Sequence, residues 1–235
     1  VKIDIKPYNL EAGLYLIPTP IGNLMDITLR SLYVLENMDY LACEDTRTTQ
    51  SLLKQYDIKP PKLFAYYDHN EAEKTDYIID LIKFGNKVGL VSEAGTPLVS
   101  DPGFRIVKSA IENNIKIETL PGATALIPAL QLSGFAVHNF TFLGFPPVKK
   151  NRKKFLELIV NSSETTIVYE SPFKIMKFLE DIQPLIEPDR QVSITREISK
   201  LHEETIRGTT TELIAKFKKK KNLKGEFVLV IQGKL

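Results

Sequence analysis

The succession of apolar runs predicts an α/β protein made of two domains with a ligand cleft between them. Three observations lead there. Over residues 14–121, five short strand-type runs alternate with four segments of helical spacing. Such alternation argues for a mostly parallel sheet covered by helices. The stretches PTPIGN, EDTR, DHN and SEAGTP each follow one of those strands, and in a parallel sheet all such ends share one edge. From residue 122 onward helices and strands mix less regularly, so some strands there are expected to be antiparallel.

Each element of the first domain has a local reason. Leu14 to Ile17 is a strand, and two prolines, Pro18 and Pro20, stiffen the loop behind it while Gly22 lets the backbone approach a ligand. Ile27, Leu29, Leu32 and Leu35 carry helical spacing. Tyr40 to Cys43 is a second strand, followed by Glu44-Asp45-Thr46-Arg47 and a helix to about Tyr56. Leu63 to Tyr67 is a third, ending at Asp68-His69-Asn70. Asn70 and Glu73 have the spacing of a capping box for the next helix. Lys87 to Val91 is a fourth strand, which opens into the loop from Ser92 to Ser100. Asp101-Pro102 is expected as N-cap and N1 of a helix. Lys116 to Leu120 is the fifth strand, and Pro121-Gly122 marks the boundary. Residues 1–13 are an N-terminal extension, 14–121 the first domain and 122–235 the second.

In the second domain, residues 123–133 are helical despite Pro128. Strands are expected at Phe140 to Leu143, Thr165 to Tyr169, Gln191 to Arg196, Glu203 to Arg207 and Glu226 to Ile231. A basic run from Lys149 to Lys154 enters a helix. Ser171-Pro172 is expected to start another, and Thr209 with Glu212 forms a capping box for a third. Lys218 to Lys221 is a four-lysine run.

Composition narrows the function classes. A net charge of +2 rules out a polycation, so an anionic partner must meet a local basic patch. The single cysteine, Cys43, cannot form an internal disulfide and suits a reducing compartment. No run approaches the roughly 18 apolar residues of a membrane span, and VKIDIKPYNLEAG has no apolar signal core. A cytoplasmic protein without a membrane partner is therefore expected. Three scattered histidines and one cysteine offer no structural zinc site.

The chemistry-bearing residues gather at strand ends. Asp45 and Arg47, two apart, suit substrate contact or a helix-entry ion pair. Glu93 and Glu170 are acids in such loops, and Asp101 is better explained as a cap. His69 offers a base near neutrality or is a surface residue. The cations Lys149, Lys150, Arg152 and Lys153 beside a strand end favour a phosphate-bearing substrate. Tyr66, Tyr67, Phe104, Phe145 and Tyr169 lie near several of the loops, where unstacked bases or core packing would both use them.

Taken together, PTPIGNL, EDTR, SEAGTP with SDPG, LPGA and YES-P closely resemble the tetrapyrrole methylase superfamily. Within it they are similar to the branch that methylates a ribose 2′-hydroxyl of small-subunit ribosomal RNA. The match covers about Leu14 to Gly233. Tetrapyrrole-modifying members carry a Gly-rich first loop and a GGDP-type third loop instead, and LPGA stands here where many relatives have LPGP.

The resemblance implies two α/β domains with S-adenosylmethionine in the cleft between them, a homodimer, and methyl transfer to a cytidine ribose in 16S rRNA of the 30S subunit. By position it implies that Pro20, Ala94, Gly95, Thr96, Val99, Thr124 and Ala125 contact the cofactor, with Glu170 and Gly208 near the adenosine. Asp45, Glu93 or His69 is then the expected acceptor for the hydroxyl proton, and Arg47 with Lys149, Lys150, Arg152 and Lys153 the expected phosphate contacts. Two other functions stay open at this point: a methylase of a tetrapyrrole-like small molecule, and a non-catalytic module that binds a nucleotide or cofactor.

Overall fold

The structure is a computed structural model that describes residues 9–67, 69–219 and 224–234. Asp68, residues 1–8 of the extension, and Lys220 and Lys221 of the lysine run lie outside the described residues. The chain divides into two compact units that meet in sequence at Ala123 and Thr124.

The first unit holds five strands: β1 (Gly13–Leu16), β2 (Tyr40–Cys43), β3 (Lys62–Ala65), β4 (Lys87–Leu90) and β5 (Ile117–Thr119). They form one sheet in the order β3-β2-β4-β1-β5, and every pairing is parallel. Between them run α1 (Leu29–Glu36), α2 (Thr46–Gln55), α3 (Glu71–Lys83) and α4 (Phe104–Glu112). The period of two along a strand decides which helices cover which face. Tyr15, Leu41 and Cys43 join Val34 and Leu35 of α1 and Leu53 of α2 in one core. Their neighbours Leu14 and Ala42 join Ile78, Ile79 and Ile82 of α3 and Ile106 and Ala110 of α4 in the other. The end of the extension is anchored, because Glu11 pairs with Lys116 at 2.9 Å and its carbonyl accepts from the Tyr15 hydroxyl.

Two expected caps differ from those observed. The helix expected to start at Asp101-Pro102 starts at Phe104, with Gly103 at N-cap and φ +134°. Its cap comes from another helix: Glu71 Oε1 accepts from the backbone N–H groups of Gly103 at 3.1 Å and Arg105 at 3.3 Å. A carboxylate there suits the positive end of α4. Asn70 does precede α3 but does not cap it with its side chain. That amide turns back instead, accepting from Tyr67 N–H and donating to the Ala65 carbonyl.

The second unit holds β6 (Phe140–Phe142), β7 (Thr165–Glu170), β8 (Gln191–Arg196), β9 (Glu204–Thr209) and β10 (Phe227–Ile231), in the order β6-β7-β10-β8-β9. Only β6 and β7 run parallel; the other pairings are antiparallel. α6 (Arg152–Asn161), α7 (Ile175–Ile182) and α8 (Thr210–Lys218) pack on one face around Val168, Ile194, Phe227 and Leu229. α5 (Leu126–Ser133) packs against β8, β9 and β10. The Thr209–Glu212 capping box is present. Ser171-Pro172 is a turn rather than a helix start: the Ser171 carbonyl accepts from Lys174 and Ile175, and α7 begins at Ile175.

Arg190, 5% exposed, closes this unit. Its guanidinium donates to the carbonyls of Ile159 and Ser162 through Nη2, of Val160 through Nη1 and of Gln232 through Nε, at 2.7–3.1 Å. One planar fork thus ties carbonyls at the end of α6 to the carbonyl of Gln232, just after β10. Arg190→Lys keeps the charge but not the fork. It should lower stability by about 3 kcal/mol, read as a shift in the urea unfolding midpoint, whereas an unchanged midpoint would show that water replaces the fork.

Candidate functional site

Because β4, β1 and β5 are neighbours and parallel, the loops that leave them emerge side by side. They are stitched together. Thr19 and Gly95 form an isolated antiparallel bridge, with Thr19 N–H on Gly95 O at 2.9 Å and Gly95 N–H on Thr19 O at 3.0 Å. Thr19 Oγ1 donates to the Ser92 carbonyl at 3.3 Å, and Ser92 Oγ donates to the Gly95 carbonyl at 3.0 Å. Thr96 Oγ1 donates to the Ala123 carbonyl at 2.9 Å, which ties in the segment after β5. A Cβ on Gly122 would stand 2.4 Å from Cβ of Pro18, so only glycine lets the two loops approach this closely.

Of the residues expected to hold a cofactor, this lattice brings Pro20, Ala94, Gly95 and Thr96 together. Gly95 has φ +93°, a conformation that favours glycine, and its buried backbone is fixed by Thr19. Pro20 is buried beside the bridge, while Ala94 is exposed next to it. Val99 closes a turn onto the Thr96 carbonyl and sits between Leu98 and Ser100, both at positive φ. The turn Leu24–Asp26 in the first loop is held from α2, whose following residue Tyr56 donates its hydroxyl to the Leu24 carbonyl at 2.6 Å.

The three expected proton acceptors do not form one hydrogen-bonded set among the described residues. Asp45 is the N-cap of α2 and accepts from Arg47 N–H at 2.8 Å. It also pairs with the Arg47 guanidinium at 2.7 Å. These bonds hold its carboxyl down at about 2, so the ion-pair reading accounts for both residues. Glu93 and His69 are exposed, on the loops after β4 and β3. Cys43 is buried, and burial raises its thiol pKa.

Sequence reasoning missed Asp101. Freed from the capping role, it lies half-buried in the loop after β4. Burial pushes its carboxyl up to about 6; the Ser92 hydroxyl offsets part of this and the nearby Glu93 charge adds to it. A carboxyl raised by burial in this way is common at functional sites. The Asp-Pro dipeptide masked it, since the same letters spell a helix start.

In the second unit, Thr124 and Ala125 precede α5, whose N-terminus has no side-chain cap. Glu170 ends β7 and is 3% exposed. Its Oε1 accepts from Ser171 N–H at 2.7 Å, while its Oε2 and the Ser171 hydroxyl are buried with no hydrogen-bond partner among the described residues. Burial raises the Glu170 pKa against the pull of that N–H and of the Lys174 and Arg152 charges. Gly208 lies on β9, where a Cβ would meet Glu212 Oε2 at 2.6 Å. Lys149, Lys150 and Lys153 are exposed. Arg152 is not an open cation: it pairs with Asp181 at 2.7 Å and donates to the Pro147 carbonyl at 3.1 Å, bracing the loop after β6.

The Asp101 carboxyl gives a signed prediction. A carboxyl raised in the folded state from the usual value near 4 costs stability as pH climbs toward about 6. Above that pH the cost is constant. Asp101→Asn should therefore match the parent below pH 4 and exceed it at pH 7. After solvent screening the gain is on the order of 1 kcal/mol, measured by urea unfolding across pH.

Comparison with known proteins agrees with the fold. The family model for Tetrapyrrole (Corrin/Porphyrin) Methylases matches residues 13–214. A protein of Hydrogenobaculum sp., named ribosomal RNA small subunit methyltransferase I, is 47% identical over 93% of this chain and 94% of its own. Its namesake from Thermotoga maritima is 42% identical over 94% of this chain and 98% of its own. Among solved structures, uroporphyrin-III-C-methyltransferase from Thermus thermophilus superposes with a TM-score of 0.66 at 18% identity, covering 94% of both chains. A cobalt precorrin-4 methyltransferase gives 0.65 at 18% identity, covering 92% of this chain and 93% of its own. At that identity the structures speak for the fold alone, whereas the relatives align over nearly the whole length of the chain. The chain belongs to the tetrapyrrole methylase family and, within it, to the ribosomal RNA small subunit methyltransferase I group.

Proposed function

We propose that this chain transfers the methyl group of S-adenosylmethionine to the ribose 2′-hydroxyl of a cytidine in 16S rRNA of the small ribosomal subunit. The observation that carries the reading is the near full-length similarity to small-subunit methyltransferases, at 40–47% identity. The family model's match, residues 13–214, spans the loops that the Thr19–Gly95 bridge holds together.

The residues suit the cofactor. The buried Glu170 Oε2 and Ser171 hydroxyl have hydrogen-bonding capacity to spare for hydroxyl and amino groups. The Gly95 segment presents backbone that a ligand can approach closely. Pro20, Ala94, Gly95, Thr96 and Val99 from the first unit, with Thr124, Ala125, Glu170 and Gly208 from the second, are the proposed cofactor contacts.

The bound sulfonium supplies a methyl group already activated for transfer. The protein's task is then alignment, exclusion of water and acceptance of one proton. Rigid loops suit alignment: Pro18 and Pro20 have fixed φ, and the bridge hydrogen bonds hold the backbone around them. For the proton, Asp45 is the weakest of the three acceptors, because a carboxyl near 2 with both oxygens on Arg47 has little basicity. Asp45 instead orients Arg47, whose side chain, 89% exposed, is offered to a phosphate. Glu93 and His69 are the acceptors to test. Lys149, Lys150 and Lys153 are proposed phosphate contacts, and Arg152 supports them by holding their loop. The active form is proposed to be a homodimer acting in the cytoplasm, where 30S subunits are found. No helix among the described residues is long and apolar enough to cross a membrane.

The test uses methyl-labelled S-adenosylmethionine and 30S subunits that lack the modification. Label should enter 16S rRNA, resist base removal and map to one ribose. Cofactor binding with no RNA label would favour a small-molecule methylase instead. Within an active preparation, Glu93→Gln or His69→Ala should slow transfer by 10²-fold or more with cofactor affinity retained. Asp45→Asn should act mainly on RNA affinity through Arg47. Unchanged transfer in both Glu93→Gln and His69→Ala would exclude a side-chain acceptor at these positions.

A further inference from the structure

The carboxyl ends of β6 and β7 carry two large apolar rings that the fold leaves uncovered. Phe145 is 56% exposed and Phe173 is 92% exposed. The parallel register Phe142↔Ile167, extended by the Tyr169 N–H bond to the Gly144 carbonyl at 3.0 Å, sets their loops on the same sheet edge. Neither ring hangs on a loose segment. Phe145 packs edge-on against Tyr169 at 5.6 Å between centroids, and Tyr169 against Phe142 at 4.9 Å. The Pro146-Pro147 stretch behind it is held by Arg152 through the Pro147 carbonyl and Asp181. Phe173 lies in the turn whose Ser171 carbonyl accepts from both Lys174 and Ile175. Around the rings the exposed charges are cationic: Lys149, Lys150 and Lys174. Of the nearby acids, Glu170 is buried and Asp181 is engaged by Arg152.

We infer that Phe145 and Phe173 form a stacking platform for unpaired bases of the RNA, with Lys149, Lys150 and Lys174 on the flanking phosphates. The inference rests on the ribosomal RNA reading above. Rings on braced loops lose little entropy when a base stacks on them, and sequence-specific RNA recognition favours splayed, stacked bases over duplex. Charge argues against a second copy of the chain as the occupant, since a two-fold contact is self-complementary and would set these lysines against their own counterparts.

The experiment measures binding of a short labelled single-stranded RNA to the full chain by fluorescence anisotropy at several salt concentrations. Phe145→Ala and Phe173→Ala should each weaken binding about tenfold without changing the salt slope. Phe173→Trp should restore it. Lys149→Ala should instead flatten the salt slope by about 0.7. Phe173 is so exposed that its replacement leaves the core intact, which separates loss of stacking from misfolding. Alanine variants that bind RNA as tightly as the parent would overturn the platform. So would variants that keep RNA affinity but change the sedimenting mass, since the rings would then belong to a contact between copies. A parent chain that fails to label 16S rRNA sinks the functional reading; a parent that labels it while the alanine variants keep their RNA affinity sinks this inference alone.

Discussion

Two main-chain hydrogen bonds between Thr19 and Gly95 hold the architecture of the candidate site. They join the loop after the first strand to the loop after the fourth, 76 residues apart in sequence by the difference of the two numbers. Each bond contributes only about 1 kcal/mol net. Their importance is geometric. Ser92 serves both sides of the bridge, accepting from Thr19 and donating to Gly95. Thr96 extends the lattice to Ala123, and Pro18 packs on Gly122 where no side chain would fit. A seat held in this way needs no ordering when a ligand arrives, so less binding free energy is lost to reorganisation. The arrangement depends on sheet order, since only with β1 between β4 and β5 do these loops meet.

Much of this was legible from the sequence because its signals are short-range. Strand runs of four residues and helical spacing in segments such as 71–83 report on local burial, and the strands and helices among the described residues lie close to the expected places. The polar loops were legible because glycine and proline punctuate them. Side-chain partners across the fold were not. Glu71 caps α4 from the start of another helix, so nothing adjacent to α4 announces it, and Asp101 was read as the cap in its place. Arg152 looked like one more cation in a basic run, yet its partner Asp181 lies on α7. Nothing in the sequence marks Arg190, because its role exists only once α6 and the last strand come together around it.

The same contrast separates fold from function. At 18% identity, tetrapyrrole-modifying enzymes share the two-sheet architecture, which therefore says little about the methyl acceptor. In this chain the first loop is stiffened by proline, and cations with uncovered phenylalanines stand at one edge of the second sheet. Those features suit a large anionic acceptor with bases free to stack. The carboxylates divide the remaining tasks by environment: Asp45 is fixed to Arg47, Glu170 is buried with an oxygen to spare, and Glu93 stands exposed.

The most direct test of the stitched loops as the cofactor seat is calorimetric titration of S-adenosylmethionine into the parent chain and into Gly95→Ala. At φ +93°, with Ile21 Cγ2 only 3.3 Å from the added Cβ, alanine strains the bridge without touching either core. The account predicts that affinity falls at least tenfold while the chain stays folded by circular dichroism. An affinity equal to the parent's would contradict it and place the cofactor elsewhere.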